Sequence, residues 1–233
     1  MNKKSIAFLT LSVIFCSQIL YSQSFWFGPK GGGGLGFQNW QNSQTNALFT
    51  PNVDLFIESY SEENSGAVYA SIGYHHRGSA VRAFDFNGQL FSNQGFKFRN
   101  LVAEAGWKKY LLKERVYQPY FGFGIRGEYT LSNNLADYSR FANPFYPDVE
   151  LARKWMYGVT VAGGFEYTLK EMIRGFIELS LMPDLSDQYF QPPLRNVIDP
   201  WTRQKVDLEE RRIRNMTFEV KLGFKFLRKV VYE

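Results

Sequence analysis

Beyond residue 24 the chain alternates, one residue to the next, between apolar side chains and polar or small ones. A period of two belongs to strands, not to helices with their period of 3.6. Eight such stretches follow from the pattern. The first covers Phe25 to Phe37, with Phe25, Phe27, Leu35 and Phe37 opposite Trp26, Gly28, Lys30, Gly32 and Gly34. The second covers Pro51 to Tyr60, with Val53, Leu55 and Ile57 opposite Asp54, Phe56 and Glu58. The third starts near Ala67, where Val68, Ala70, Ile72 and Tyr74 oppose Tyr69, Ser71, His75 and Arg77. The fourth ends near Leu111, with Leu101, Ala103, Ala105 and Trp107 opposite Asn100, Val102, Glu104 and Lys108. Tyr117 to Leu131, Trp155 to Tyr167 and Gly175 to Leu181 give three more. In the last, Met216, Phe218, Val220, Leu222, Phe224 and Phe226 oppose Thr217, Glu219, Lys221, Gly223 and Lys225.

A soluble β-sandwich alternates in the same way, so the connectors decide. Links at 61–66, 112–115 and 169–174 are short. Those at 38–50, 78–95, 132–154 and 183–211 are long. Strict alternation of short and long links is the mark of a transmembrane barrel, with tight periplasmic turns at one rim and extracellular loops at the other. Greek-key sandwiches have no reason to keep it. The fold class expected is all-β: an eight-stranded antiparallel transmembrane β-barrel.

The bilayer then fixes which face points where. The polar parity carries Lys30, Asp54, Glu58, Arg77, Glu104, Lys108, Arg126, Glu128, Glu166, Glu178, Glu219, Lys221 and Lys225. Such a set cannot face hydrocarbon, where each charge costs kilocalories. Inside a narrow barrel the two signs pair, and an eight-strand lumen is filled by side chains. A salt-bridged plug is expected, with glycines making room for long Arg and Lys side chains, and little solute permeation. Phe25, Phe27, Trp107, Tyr117, Tyr167, Phe224 and Phe226 should form the periplasmic aromatic girdle. Tyr74, Tyr129, Trp155 and Tyr157 should form the outer one.

Composition agrees. Aromatics are 18% of the chain, with 20 Gly, and a mean hydropathy of -0.30 is not that of a helical membrane protein. Lys3 and Lys4, an apolar run from Ile6 to Phe15 and small residues to Ser22 read as a secretory signal peptide over 1–22, with the barrel domain over 23–233. The run is too short to span a bilayer. Cys16 lies inside it after the bulky Phe15, unlike a lipoprotein site, so the mature chain would have no cysteine chemistry. Without Lys3 and Lys4 the balance is 25 Lys and Arg against 22 Asp and Glu. That excess does not indicate a nucleic-acid partner.

Candidate chemistry is sparse, and no cofactor is expected. Gly31 to Gly34 lack the Lys-Ser/Thr and the helix that a phosphate loop requires. His75 and Ser79 share a parity, which leaves a lipid A-modifying enzyme as a minor alternative to a polar rim; two histidines make no metal cluster. Asn87-Gly88 signals a type I′ turn and extends the third and fourth strands as a hairpin beyond the membrane. The last two long loops hold Phe145, Tyr146, Tyr189, Phe190 and Trp201, aromatic candidates for contact with a protein partner or for packing on one another.

The final strand, with Phe226 near its end, resembles the signal read by the outer-membrane barrel assembly machinery; Leu227 to Glu233 extend past it. Tyr21-Ser22-Gln23, the early Gly28-Pro29-Lys30-Gly31-Gly32, Pro119-Tyr120-Phe121-Gly122-Phe123-Gly124, Ala162-Gly163-Gly164-Phe165-Glu166-Tyr167 and Leu222-Gly223-Phe224-Lys225-Phe226 together resemble the Bacteroidota outer-membrane β-barrel group with its PorT-like members. That resemblance implies outer-membrane residence and, for PorT-like members, a role in type IX secretion and gliding motility, with secretion-system subunits as partners. It carries over no catalytic or ligand residue. A surface adhesin or structural barrel is the other non-enzymatic reading.

Overall fold

The computed structural model describes residues 24–38, 44–60, 65–84, 90–112, 116–135, 148–199 and 202–229. The expected signal peptide, Asn87-Gly88, Phe145, Tyr146 and Trp201 lie outside these residues. Eight long strands run in chain order: β1 Phe25–Gln38, β2 Leu48–Ser59, β3 Gly66–Phe84, β4 Leu90–Tyr110, β5 Tyr117–Asn133, β6 Trp155–Lys170, β7 Ile173–Pro183 and β8 Asn215–Arg228. Each pairs antiparallel with the next, and β1 pairs with both β2 and β8. The sheet is therefore closed and has no free edge, as a sheet in lipid requires. Among the described residues no helix is long and apolar enough to cross a membrane; the strands do the crossing.

Alternation decides the two faces. Phe123, Val161 and Leu222 are 52%, 50% and 60% exposed on the outer wall, while inward neighbours such as Arg126, Glu128 and Lys225 are buried. A soluble protein would reverse this. Both ends of the barrel strands, Phe25 and Arg228, meet at the rim that holds the short links. The tightest of these is the two-residue turn Glu171-Met172. That rim is the periplasmic one.

The outer rim differs from a set of loose loops. β3 and β4 stay paired as far as Phe84 and Leu90, so most of the 78–95 link is strand. At 19 and 21 residues they are about twice as long as the ~9–11 residues a tilted strand needs to cross a bilayer. The short strand Gln44–Asn46 adds to the β3 edge there. Gly78 has φ +143°, and a Cβ at that position would lie 1.9 Å from the Phe96 carbonyl oxygen. The 183–211 segment, read as a loop, contains two small ladders: Tyr189–Gln191 with Arg211–Ile213, and Leu194–Ile198 with Lys205–Leu208.

Candidate functional site

The lumen collects the charges of all eight strands. All thirteen charged residues expected inside point there, and none is more than 8% exposed. They form three tiers.

Nearest the periplasm, Glu58 accepts from Lys108 at 2.8 Å and from Lys225 at 3.0 Å. Lys225 also reaches Glu166 at 2.6 Å, and the Tyr110 hydroxyl sits between Glu58 and Glu166. Arg174 closes the rim by donating to Gln118 at 2.7 Å. Its guanidinium lies 4.9 Å from the Trp26 ring.

In the middle tier Lys30 donates to Glu178 at 2.9 Å, and the Tyr120 hydroxyl donates to the other Glu178 oxygen at 3.0 Å. Glu104 has no cation in direct contact among the described residues; it accepts from the Tyr69 and Thr160 hydroxyls at 2.6 and 2.7 Å. Phe56 and Phe176 meet edge to face at 5.5 Å, and the Lys108 ammonium lies 4.3 Å from the Tyr120 ring. Beside four inward glycines rings take the space, not the Arg and Lys side chains expected, while beside Gly28, Gly32 and Gly34 the β8 backbone itself lies closest. A Cβ at Gly106 or Gly124 would strike Tyr69, at Gly164 Tyr120, and at Gly223 Phe176; only Gly158 makes way for an arginine, Arg126.

The outer tier centres on Arg77. It donates to Glu219 at 2.5 Å and to Glu128 at 2.9 Å. Glu128 also accepts from Arg126 at 2.7 Å and Asn100 at 2.6 Å. Arg126 continues to Asp184. Lys221 bridges Glu219 at 2.9 Å and Asp54 at 3.2 Å. The His75 ring lies between Asp54 at 2.7 Å and Glu219 at 3.3 Å. Each carboxylate has several donors, the condition under which buried ion pairs are tolerated.

Two placements depart from expectation. His75 is not part of a polar rim but a fully enclosed member of this network, and Ser79 donates to Gln38 at 3.1 Å. Asp184 was missed altogether: it follows the last residue of β7 in a stretch that reads as loop. No periodicity marks it, though its position directly after Pro183 continues the inward parity of Glu178, Ser180 and Met182.

Between the charged residues little space remains. The cavity bounded by Lys30, Glu58, Tyr69, Lys108 and Glu178 has a volume of about 10 Å³, room for roughly one water.

Above the network a polar layer of Gln38, Thr130, Gln188 and Asn215 joins strands to loops; Asn215 accepts from Gln38 at 2.5 Å and donates to Gln188 at 3.0 Å. Then comes an apolar cluster of Phe96, Phe98, Leu135, Tyr189 and Ile213, with Val149, Leu151 and Ala152 against it. Tyr189, expected among the partner-binding aromatics, is fully buried in this cap. Its neighbour Phe190 points the other way, half-buried, with the Arg153 and Arg212 guanidiniums each 5.3 Å from its ring.

On the outer wall, Phe27 and Phe226 pack at 6.0 Å, as do Phe25 and Phe27, near the periplasmic rim. Tyr129 and Trp155 pack at 4.8 Å near the outer rim. An apolar wall with aromatic bands at both ends and an ionic interior fits only a bilayer.

No protein-family model and no curated protein sequence matches the chain. Its fold is similar to solved outer-membrane proteins. OprG from Pseudomonas aeruginosa aligns with a TM-score of 0.58 at 11% identity, over 89% of this chain and 97% of that one. Neisserial surface protein A gives 0.45 at 8%, over 87% and 96%. The N-terminal barrel domain of Pseudomonas aeruginosa OprF gives 0.41 at 10%, over 88% and 98%. This chain has the closed eight-stranded fold of an outer-membrane β-barrel.

Proposed function

We propose that this barrel is a non-enzymatic accessory of protein secretion, of the type IX, PorT-like kind, which works through protein contacts at its rims and transports nothing through its lumen. The ion-paired plug carries this reading. Crossing the lumen would require separating pairs such as Arg77–Glu128 and Lys225–Glu166, and separating a buried pair costs about 3–5 kcal/mol. The reading is also supported by how His75 and Ser79 are engaged, each with partners other than the other. The segment beside the cap presents Phe190 between two arginines. Aromatic and Arg side chains are the commonest anchors of protein interfaces.

The test is cross-linking in the native outer membrane, followed by purification and identification of what is captured. Secretion-system subunits captured by the wild type and lost with Phe190→Ala support the reading. Capture of host-surface ligands with no secretion subunit would favour an adhesin. A large steady conductance in planar bilayers would remove the plug on which the reading stands.

A further inference from the structure

On the outer wall, β3 to β6 stack three rows of unlike chemistry. The middle row runs Tyr74, Leu101, Tyr129 and Trp155, which are register partners across four strands. This is the outer aromatic row that marks the edge of the hydrocarbon.

One step further out, the same face turns cationic. His76 is the register partner of Arg99, and Lys97 lies two residues further out on β4. Arg99 and Lys97 both act electrostatically on the His76 imidazole, and Tyr74 packs on that ring at 5.4 Å. Arg99 and Lys97 are exposed. Among the described residues neither side chain forms an ion pair, unlike Arg212 and Arg214, which pair with Glu210 and Asp187. Exposed cations at the level of the headgroups attract anionic lipid.

One step inward, the wall is hollow. Ile72, Ala103 and Gly127 are register partners, and below them come Ala70, Ala105 and Ile125. The small side chains leave a groove of about 630 Å³, closed on one side by Tyr157 and Leu185. A Cβ added to Gly127 would meet nothing within 4 Å. Much of the rest of the wall carries Phe, Leu, Ile and Val, as at Leu55, Phe123, Ile177 and Leu222, which fill such space themselves. From Ala103 to Arg99 is four residues of strand, about 13 Å, so groove and cations are parts of one lipid-sized site.

We propose that this face binds a phosphorylated glycolipid of the outer leaflet, of the lipid A class, with an acyl chain in the groove and a phosphate on Arg99 and Lys97. The hollow alone would fit any apolar partner. The exposed cations directly above it select an amphiphile with an anionic head, and the outer leaflet is where that headgroup lies. His76 adds a donor on the same side of the phosphate. The site depends only on the outer wall, so it stands or falls separately from the secretion reading.

The experiment uses the full chain in detergent, with folding checked by heat-modifiable gel mobility. It is incubated with bisphosphorylated lipid A or with lipid A stripped of its phosphates, and bound lipid is measured by native mass spectrometry. Bisphosphorylated lipid A should be retained about tenfold or more over the stripped form. Lys97→Glu with Arg99→Glu should remove that preference. Gly127→Leu, whose Cβ meets nothing within 4 Å and whose side chain enters the groove, should lower retention of both forms. Equal retention of the two lipids by the wild type overturns the proposal. So does unchanged retention after charge reversal, or a groove occupied by a second copy, seen as a lipid-free dimer that Gly127→Leu dissociates.

Discussion

Phe98 and Asn100 point inward from one strand, two residues apart, into opposite environments. Phe98 belongs to an apolar cluster with Tyr189 and Ile213. Asn100 donates to Glu128 in an ionic network. The outward side chains switch at the same place, from Lys97 and Arg99 to Leu101 and Ala103. Beyond the membrane the protein obeys the ordinary rule, apolar within and charged without. Inside the membrane it obeys the reverse, because lipid and not water is then the outer solvent. The inversion takes place within a few residues of β4, at the aromatic row, so the edge of the hydrocarbon is written into one strand.

The two regions should fail differently. Arg77→Ala should have the largest effect. It leaves Glu128 and Glu219 short of their shared donor, and removing one partner of a buried pair costs about 3–5 kcal/mol. Urea unfolding in lipid vesicles, followed by Trp fluorescence, should show that loss for the whole barrel. An unfolding curve like that of the wild type would mean the plug is not what fixes the lumen.

Phe98→Ala removes a ring of similar worth, about 3–5 kcal/mol for a buried Phe, but the damage should stay in the cap. Limited proteolysis should cut within 185–213 while the heat-modifiable band persists. If the whole barrel melted with the cap, the two regions would be one cooperative unit.

Ile125→Arg tests the outer wall. It places a charge against hydrocarbon near mid-strand and should cost about 2–4 kcal/mol, whereas Leu131→Arg, beyond the aromatic row at Tyr129, should cost about 0–1 kcal/mol. Equal costs in vesicle unfolding would put the hydrocarbon edge elsewhere. Smallest of all, Glu210→Gln breaks an ion pair whose partners are half exposed and should change cap stability by less than about 1 kcal/mol.

The alternation of Met216 to Phe226 was enough to assign both faces of β8, and the same holds for the thirteen lumen charges, because a strand has only two faces and lipid forbids charge on one of them. Strand lengths were partly legible. The Asn87-Gly88 signal already extends β3 and β4 past the membrane as a hairpin, and they stay paired as far as Phe84 and Leu90, but nothing in the pattern near Val81 marks where lipid ends. Tyr189 and Phe190 show the limit most clearly. Both are aromatics in a Pro-rich stretch, and sequence could not say which is buried and which is presented.

By itself, then, the sequence determined an eight-stranded barrel, its inside-out chemistry and the rim at which its short turns lie. These follow from local periodicity and from the cost of charge in hydrocarbon, neither of which needs distant contacts. Only the tertiary structure decided which acid meets which base, that His75 and Asp184 join the plug, that rings pack beside Gly106, Gly124, Gly164 and Gly223, and that Tyr189 joins an apolar cap. Those outcomes depend on side chains brought together from strands more than a hundred residues apart, as Arg77 and Glu219 are, and no period along the chain records such a meeting.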